Sequence, residues 1–306
     1  MPLTLRAALL AAALAPAAAR ADYPFILPSS TILSGSNAVV TFDAAGSDHV
    51  FFFDHRPIQI GAIKAWKPDG TPATPSNDVQ GRFRSVFDLK LDQEGTWKVT
   101  SDQTMVGGTF KQNGEERRVG GRGGPPPGAG AGAGAGGESP RGGEGRGPGG
   151  PGGEGGFRRQ PPVALQDIPA DATDIHLTET IRTTATFVTT GAPTTTVFKP
   201  TGTGLEFDPI THPNAIAAGE TARFRFLIDG KPAPGLKVTV VPGGDRYRET
   251  VNAMALTTGA DGVVAVTWPA AGLYWLGVEA EDKHPAEKRA ETRRMSYAVT
   301  LEVMTP

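Results

Sequence analysis

The sequence predicts an all-β protein, in which two immunoglobulin-like β-sandwich domains are joined by a disordered Gly/Pro-rich insert. Short runs rich in Val, Ile, Thr and aromatic residues stand between turn signals along the chain, and no stretch shows a helical hydrophobic period. A tract over residues 120–156 interrupts these runs, and 26 of its 37 residues are Gly or Pro, a composition that cannot offset its ordering entropy. The predicted domains are therefore residues 22–119 and 157–306.

The first 21 residues are typical of a secretory signal peptide. Arg6 precedes a short Ala/Leu-rich apolar run, and Ala19-Arg20-Ala21 fits a small-x-small cleavage site. No later segment offers the roughly 18 consecutive apolar residues of a membrane-spanning helix. We therefore predict export to the periplasm, a mature chain that begins at Asp22, and no transmembrane segment after signal removal.

Composition narrows the possible functions. The 306 residues include five His and no Cys, and the formal net charge is −2. An exported chain without cysteine has no disulfides and no thiolate metal site, and its charge does not favour nucleic acid as a partner. The sequence holds no nucleophile-elbow, zinc-protease or P-loop motif. We predict that the protein is not an enzyme.

The first domain is predicted to hold six strands. In the last part of the fourth, Phe87, Leu89 and Leu91 alternate with Asp88 and Lys90, the period of a sheet with one solvated face. The predicted strands cover residues 38–44, 50–54, 58–66, 83–91, 96–101 and 105–112.

The second domain begins with a Thr-rich passage, residues 172–207, which is predicted to form long strands. Further strands are predicted to begin at residues 221 and 236, a hairpin is predicted through Asp261-Gly262, and the last strand covers 295–303. The phrases QEGTWKVT and AAGLYWLGV each place an aromatic residue after a turn that ends in Gly. We expect each aromatic residue to anchor a corner that leads into a late strand.

The stretch SDHVFFFDHRP, residues 47–57, has an Asp-His pair at each end, Asp48-His49 and Asp54-His55. In a straight strand the two pairs would lie about 20 Å apart, too far for one ion to bridge. The favoured interpretation is a buried strand with polar ends. The alternative is a metal site in which His49 or His55 acts with residues from elsewhere in the chain.

A second group of candidate residues is cationic and is predicted to bind an anion or a partner. Arg246 and Arg248 would share one face of a strand and could hold a carboxylate or phosphate. Glutamates nearby in the sequence leave an ordinary surface charge network as the alternative. The group consists of Arg246, Tyr247, Arg248, Arg293 and Arg294.

Six phrases of the sequence carry a resemblance to a known family. They are LPSSTILSG, VTFDAAGSDHVFFFDHRP and RFRSVFDLKL near the mature start, and TGTGLEFDPITHPNAIAAGETARFRFLIDGKPAPGLKVTVVPGGDRYRE, TTGADGVVAVTWPAAGLYWLGVEA and RRMSYAVTLEV later. They resemble the exported bacterial family DUF4198, a domain of unknown function formerly labelled a nickel-uptake substrate-specific component. The resemblance implies a periplasmic β-rich protein that is associated with transition-metal (nickel, cobalt or iron) uptake or a TonB-linked outer-membrane system.

The resemblance also implies a metal site at the mature amino terminus, where chains of this family often begin with His. Here the corresponding residue is Asp22, which offers carboxylate oxygen in place of imidazole, and Pro24 removes a backbone N–H. The candidate ligands of a divalent transition metal are thus Asp22, Asp48, His49, Asp54 and His55.

Two hypotheses follow for the function. The first is a non-enzymatic periplasmic binding or accessory protein for transition-metal uptake. The second is an adhesion or envelope-assembly module that binds protein or glycan through sandwich edges and loops.

Overall fold

The computed structural model describes residues 22–35, 37–120 and 161–306, and within them the chain is all-β, as predicted. The predicted signal peptide and, apart from Gly120, the predicted disordered insert lie outside the described residues. Among the residues described, no helix is long and apolar enough to cross a membrane. The predicted boundaries between domains stay a prediction.

Nineteen strands form the described part of the chain, together with four 3-10 turns at Ile60–Ala62, Leu165–Asp167, Thr196–Phe198 and Asp245–Tyr247. The strands are β1 (Tyr23–Pro28), β2 (Ile32–Leu33), β3 (Ala38–Ser47), β4 (Arg56–Pro57), β5 (Ile63–Trp66), β6 (Pro72–Ala73), β7 (Ser76–Gln80), β8 (Ser85–Leu91), β9 (Gly95–Gln112), β10 (Glu115–Val119), β11 (Thr173–Thr190), β12 (Leu205–Pro209), β13 (Thr221–Ile228), β14 (Lys231–Pro232), β15 (Lys237–Pro242), β16 (Met254–Thr257), β17 (Val263–Thr267), β18 (Gly272–Asp282) and β19 (Thr292–Val303).

Three sheets account for these strands. The N-terminal sheet has the order β1-β3-β8-β7, with β4 paired to β3. The central sheet has the order β16-β15-β18-β19-β11-β9-β5-β6, with β10 on β9 and β2 on β11. The C-terminal sheet contains β12, β13, β14 and β17. The Thr-rich strand β11 pairs antiparallel with β9 on one edge and parallel with β19 on the other, so one sheet runs through both halves of the chain.

The two large hydrophobic cores lie on opposite faces of the central sheet. Val188 of β11 and its neighbour Val99 of β9 pack with the N-terminal sheet, whereas Ala185 and Phe187 of β11 pack with the C-terminal sheet. Successive side chains of a strand point to opposite faces, which places the two cores on the two sides of β11. We call the side of Val188 the N-face and the side of Phe187 the C-face.

The two predicted aromatic corners are both present. Trp97 donates its indole N–H to the carbonyl of Gln93 at 3.1 Å, and Tyr274 donates its hydroxyl to the carbonyl of Ala270 at 2.8 Å. Each partner lies four residues before the aromatic residue. Gly95 and Gly272, two residues before the aromatic residues, have φ values of 126° and 142°, a region that favours glycine. The Gly-x-aromatic pattern therefore marks a corner in both halves.

The strand predicted over residues 50–54 is wrong, because these residues form a turn after β3. The N–H of Phe52 donates to the carbonyl of His49 at 3.2 Å, and Phe51 has a φ of 64°. The turn lets Phe51 and Phe53 both pack on the buried ring of Phe25, with centroid distances of 5.3 and 5.7 Å. Phe51 and Phe53 thus pack on the same buried ring without the alternation of a strand, and all three phenylalanines remain half-buried.

Three other boundaries differ from the prediction. The strands predicted at 96–101 and 105–112 are one strand, β9, in which Gly108 passes so close to β11 that a Cβ would lie 2.0 Å from the carbonyl oxygen of His176. Of residues 58–66, only 63–66 are a strand. The turn at Asp261-Gly262 forms, but β16 before it joins the central sheet and β17 after it joins the C-terminal sheet, so the predicted hairpin is wrong.

Candidate functional site

A groove of about 550 Å³ lies on the N-face of the central sheet, beside β1. β1 is the edge strand of the N-terminal sheet and lies across β11 and β19. The groove occupies the part of the N-face next to this strand, and its size is within the range of about 300–1,000 Å³ that is usual for small-molecule sites. Its floor draws on β9, β11, β15, β18 and β19, so both halves of the chain contribute to it.

Small side chains form the floor of the groove. Five residues in direct register, one from each strand, share the N-face, and together they leave a shallow trough about 19 Å long across the sheet at the usual strand spacing. They are Thr239, Gly277, Ala298, Thr184 and Ser101.

Two floor hydroxyls have no protein partner. Ser101 and Thr184 are 3% and 4% exposed and line the groove. Neither hydroxyl makes a hydrogen bond to another described residue. The two oxygens are not among the buried unpartnered atoms of the described residues. They are therefore accessible from the groove and can bond a ligand or water there.

The inner end of the groove is aromatic. The indole N–H of Trp275 donates to the carbonyl of Pro24 in β1 at 2.9 Å, and Tyr23 packs edge-on to the indole with a centroid distance of 5.0 Å. The indole occupies the space above Gly277, where a Cβ would lie 1.9 Å from a ring carbon. Gly277 is therefore required by the position of Trp275, which fixes the distance between β1 and the sheet.

The outer end of the groove is polar and charged. One N-face step beyond the floor, about 6.6 Å along the strands, lies a second row of residues in register. It consists of Glu279, Ser296, Arg182 and Gln103, and the exposed residue Lys237 also lines this part of the groove.

Asp22, a predicted metal ligand, lies at the groove and is already engaged. Its carboxylate forms an ion pair with Arg56, and both residues line the cavity. This ion pair fastens the start of the described chain to β4. Asp22 therefore contributes to the groove wall, and none of the other four predicted metal ligands lines the cavity.

The other predicted metal ligands lie in the turn after β3. His49 Nδ1 lies 3.1 Å from Asp245 Oδ2. Asp54 accepts hydrogen bonds from the hydroxyl of Ser47 at 2.6 Å and from the N–H of Asp48 at 3.2 Å. Burial opposes ionisation of Asp54, but these hydrogen bonds outweigh it and lower its pKa. Asp54 thus stabilises the turn, and His55 is exposed.

Arg246 and Tyr247 of the predicted cationic group pack against the same turn. Tyr247 lies edge-on to Phe52 with a centroid distance of 5.4 Å, and the guanidinium of Arg246 lies 5.3 Å from the centroid of the Phe52 ring. Arg248 donates instead to the carbonyls of Gly243 and Pro242 at 2.7 and 2.8 Å. Two stretches that the sequence treats as separate candidates therefore form one loop junction.

Asp245, which sequence reasoning missed, is the buried acid of this junction. Its side chain is 2% exposed, whereas that of His49 is 45% exposed. Asp245 Oδ1 is buried and has no hydrogen-bond partner. The pKa of Tyr23 is raised, mainly because the residue is partly buried and secondly because Asp245 is negatively charged. Within the described residues no group of three or more His, Asp or Glu could hold a metal ion, so this junction offers two ligands, His49 and Asp245.

Arg293 and Arg294 lie at the far end of β18 from Arg246 and Arg248. Gly243, three residues before Arg246, bonds Leu273 at the start of β18, whereas Arg293 pairs with Asp282 at its end, about 30 Å away along the strand. The predicted group is therefore divided into two separate places. The sequence does not show which end of β18 each pair of arginines approaches, because that depends on how the strands pair.

Arg293 has a structural role, because it joins two acidic residues from different strands and turns. It is 5% exposed and pairs with Asp229 at 2.7 Å and Asp282 at 2.6 Å. Its hydrogen bonds lower the pKa of Asp229, and at Asp282 they outweigh the effect of burial and lower the pKa as well. Arg294 is exposed and pairs with Glu281 at 2.8 Å. Both arginines are thus occupied by acidic partners.

A family model described as a domain of unknown function, DUF4198, matches residues 19–282. The chain belongs to this family. Its description assigns no activity. No protein in a search of curated proteins matches the chain.

Solved structures similar to this DUF4198 chain share little sequence with it. The D0-D1 domain of intimin is 11% identical, with 93% of this chain and 100% of that chain covered and a TM-score of 0.22. Alpha-2-macroglobulin from Salmonella, in a mutant form, is 12% identical, with 91% and 14% covered and a TM-score of 0.20. Escherichia coli alpha-2-macroglobulin activated by porcine elastase is 10% identical, with 93% and 31% covered and a TM-score of 0.19. The chain therefore spans less than a third of the length of either macroglobulin.

The contact between Trp275 and Gly277 gives a direct test of the groove wall. In Gly277→Ala the added methyl group must displace the indole and break its hydrogen bond to Pro24, so we expect a loss of about 1–3 kcal/mol in the free energy of unfolding. Urea unfolding and the wavelength of tryptophan emission measure both effects. Gly61→Ala is the control, because a Cβ there meets nothing within 4 Å. Equal stability of the two variants would contradict the described wall.

Proposed function

We propose that this DUF4198 protein is a non-enzymatic binding protein that holds a small ligand in the groove beside β1. The observation that carries the proposal is the pair of hydroxyl groups of the buried residues Ser101 and Thr184, which open onto the cavity without a protein partner. A preformed cavity that combines aromatic walls with a few convergent polar groups is the usual form of a small-molecule site.

The compartment and the architecture are part of the same proposal. Residues 1–21 direct the chain to the periplasm, and residues 120–156 are a disordered connection between two immunoglobulin-like halves that share the central sheet. The aromatic corners at Trp97 and Tyr274 support an immunoglobulin-like half on each side, since such a corner is typical of that fold. In the periplasm the protein would deliver its ligand to an uptake system, with a TonB-linked outer-membrane system as the partner implied by the family resemblance.

A second candidate function is transition-metal binding at the loop junction, and the pair His49–Asp245 favours it. Two ligands of a tetrahedral ion at about 2.0–2.1 Å lie about 3.3 Å apart, close to the 3.1 Å between His49 Nδ1 and Asp245 Oδ2. Asp245 Oδ1 remains without a hydrogen-bond partner. Water would supply the other ligands of such a site.

The rival hypothesis, an adhesion or envelope-assembly module, places binding at sheet edges and loops. The exposed edge strand β7 is the kind of element it would use, because an edge strand presents unpaired backbone groups. A variant with a blocked groove distinguishes the two hypotheses. Binding through β7 would remain in that variant, because β7 lies at the opposite edge of the N-terminal sheet from β1.

The groove proposal predicts that a bulky floor residue abolishes ligand binding. Ala298 lies on the floor as the direct neighbour of Thr184, so a phenyl ring in Ala298→Phe would fill the groove beside the two hydroxyls. We expect at least one compound class in a panel of sugars, amino acids and organic anions to raise the melting temperature of the wild type. Saturation at 100 times the dissociation constant adds about 2.7 kcal/mol.

The matched control is Ala265→Phe, an exposed position on β17 of the C-terminal sheet. This variant should keep the ligand-induced shift that Ala298→Phe loses. If no compound of the panel shifts the wild type, or if the shift survives in Ala298→Phe, the groove is not the binding site.

The metal candidate predicts that Ni²⁺, Co²⁺ or Zn²⁺ raises the melting temperature of the wild type and not that of His49→Ala, because His49 supplies the imidazole that faces Asp245. His55→Ala is the control and should keep the shift, since His55 is exposed and six residues away in the same turn region. The absence of a shift in the wild type, or an equal shift in the wild type and His49→Ala, would rule out this candidate and leave the groove proposal intact.

A further inference from the structure

We infer that the ligand of the groove is a small amphipathic anion, an organic carboxylate whose head binds Arg182 and whose apolar body packs towards Trp275. The inference rests on the proposed function and names the substrate class of the same groove. It depends on the side chains that follow one another along the strands, which change from aromatic to hydroxyl-bearing to charged over three successive N-face rows.

Arg182 is a cation without an acidic partner at the mouth of the groove. It is exposed on β11, lines the cavity, and makes no hydrogen bond or ion pair with another described residue. The other two cations of the cavity differ from it, because Arg56 is paired with Asp22 and Lys237 lies beside Glu279. A guanidinium presents a planar fork of donors that matches a carboxylate bidentately, so Arg182 is suited to an anionic head group.

Side chains that flank Arg182 can complete the binding of such a head. Gln103 of β9 and Ser296 of β19 are its direct neighbours in register, on the N-face and at the cavity. Their amide and hydroxyl groups donate hydrogen bonds, and neither makes one within the described chain. A carboxylate on Arg182 therefore has two neutral donors at one strand spacing, about 4.8 Å, on either side.

The unpartnered hydroxyls of Ser101 and Thr184 are the independent observation that points to a ligand. They lie one N-face step inward from Gln103 and Arg182, on the same two strands, and are more than nine-tenths buried while they line the cavity. The second oxygen of a carboxylate held by Arg182 would lie on the side of these hydroxyls and accept their hydrogen bonds. Without a ligand, only water can satisfy them.

The inner end accepts an apolar body. Trp275 lies in the next row inward, in register with Thr300, and Tyr23 and Ile58 also line the cavity. The indole lies over Gly277 of the floor row, which is about 6.6 Å along the strands and two strands, about 10 Å, across the sheet from Arg182. A ligand about 12 Å long, with one charged end, would satisfy the row of Arg182 and cover the indole at the same time.

Glu279 determines on which side of the groove the carboxylate head group of the ligand binds. It stands in the row of Arg182, two strands away on β18, with Ser296 between them, and is therefore about 10 Å from Arg182. A carboxylate head is repelled from Glu279 and attracted to the side of Arg182 and Gln103. The same charge disfavours a dianion long enough to reach both residues.

The test compares how tightly the full-length protein binds compounds that carry the charged head, the apolar body or both. Octanoate and 3-phenylpropionate carry both parts, 1-octanol carries only the body, and acetate and inorganic phosphate carry only a head. Calorimetric titration should show binding of the two amphipathic carboxylates, with at least tenfold weaker binding of the other three compounds. Trp275 emission should change with the carboxylates because their body reaches the indole.

Arg182→Gln keeps a polar side chain and removes the charge, and we expect it to weaken octanoate binding about tenfold or more, since a charge-assisted bidentate contact contributes that much. Arg294→Gln is the matched control on the adjacent strand β19, because Arg294 is exposed and pairs with Glu281. It should bind octanoate like the wild type.

The inference is overturned if octanoate does not bind, if 1-octanol binds as tightly, or if Arg182→Gln binds as tightly as Arg294→Gln. In these cases the proposed function still stands if another compound class raises the melting temperature of the wild type and Ala298→Phe abolishes that shift. The two failures are therefore distinguishable.

Discussion

The pairing of β11 on both of its edges is the constraint on which the rest of the structure depends. Between β9 and β19, this strand has no free edge over most of its length, and its C-terminal half is buried on both faces. Alternate side chains consequently enter different cores, Phe187 on the C-face and Val188 on the N-face. Threonine suits such a strand because its β-branched side chain packs well on a pleated surface.

The groove is a consequence of this shared sheet. The N-terminal sheet covers the N-face only as far as its edge strand β1, where Trp275 of the other half of the chain bonds the carbonyl of Pro24. Beyond that edge, the N-face of β18, β19 and β11 has no covering layer in the described chain, and small residues such as Gly277 and Ala298 keep it shallow. A ligand in the groove would contact residues that are far apart in sequence, and binding would stabilise the shared sheet as a whole.

Local patterns predicted most of the strands, and non-local contacts account for what they missed. The alternation in residues 87–91 and the Gly-x-aromatic corners at Trp97 and Tyr274 depend on neighbours in sequence, and both are confirmed. The contact between His49 and Asp245 joins residues 196 positions apart, which no spacing rule reveals. The residues that line the groove range from position 22 to position 298 of the chain. The one sequence feature that indicates the groove is Gly277, two residues after Trp275.

The measurement that tests the shared sheet most directly is cleavage of the chain between residues 120 and 161, followed by size-exclusion chromatography under native conditions. The account predicts that the two fragments elute together at the size of the intact protein and separate only in denaturant, because β9 of the first fragment is paired with β11 of the second over nearly its whole length. Separation of two folded fragments without denaturant would contradict it.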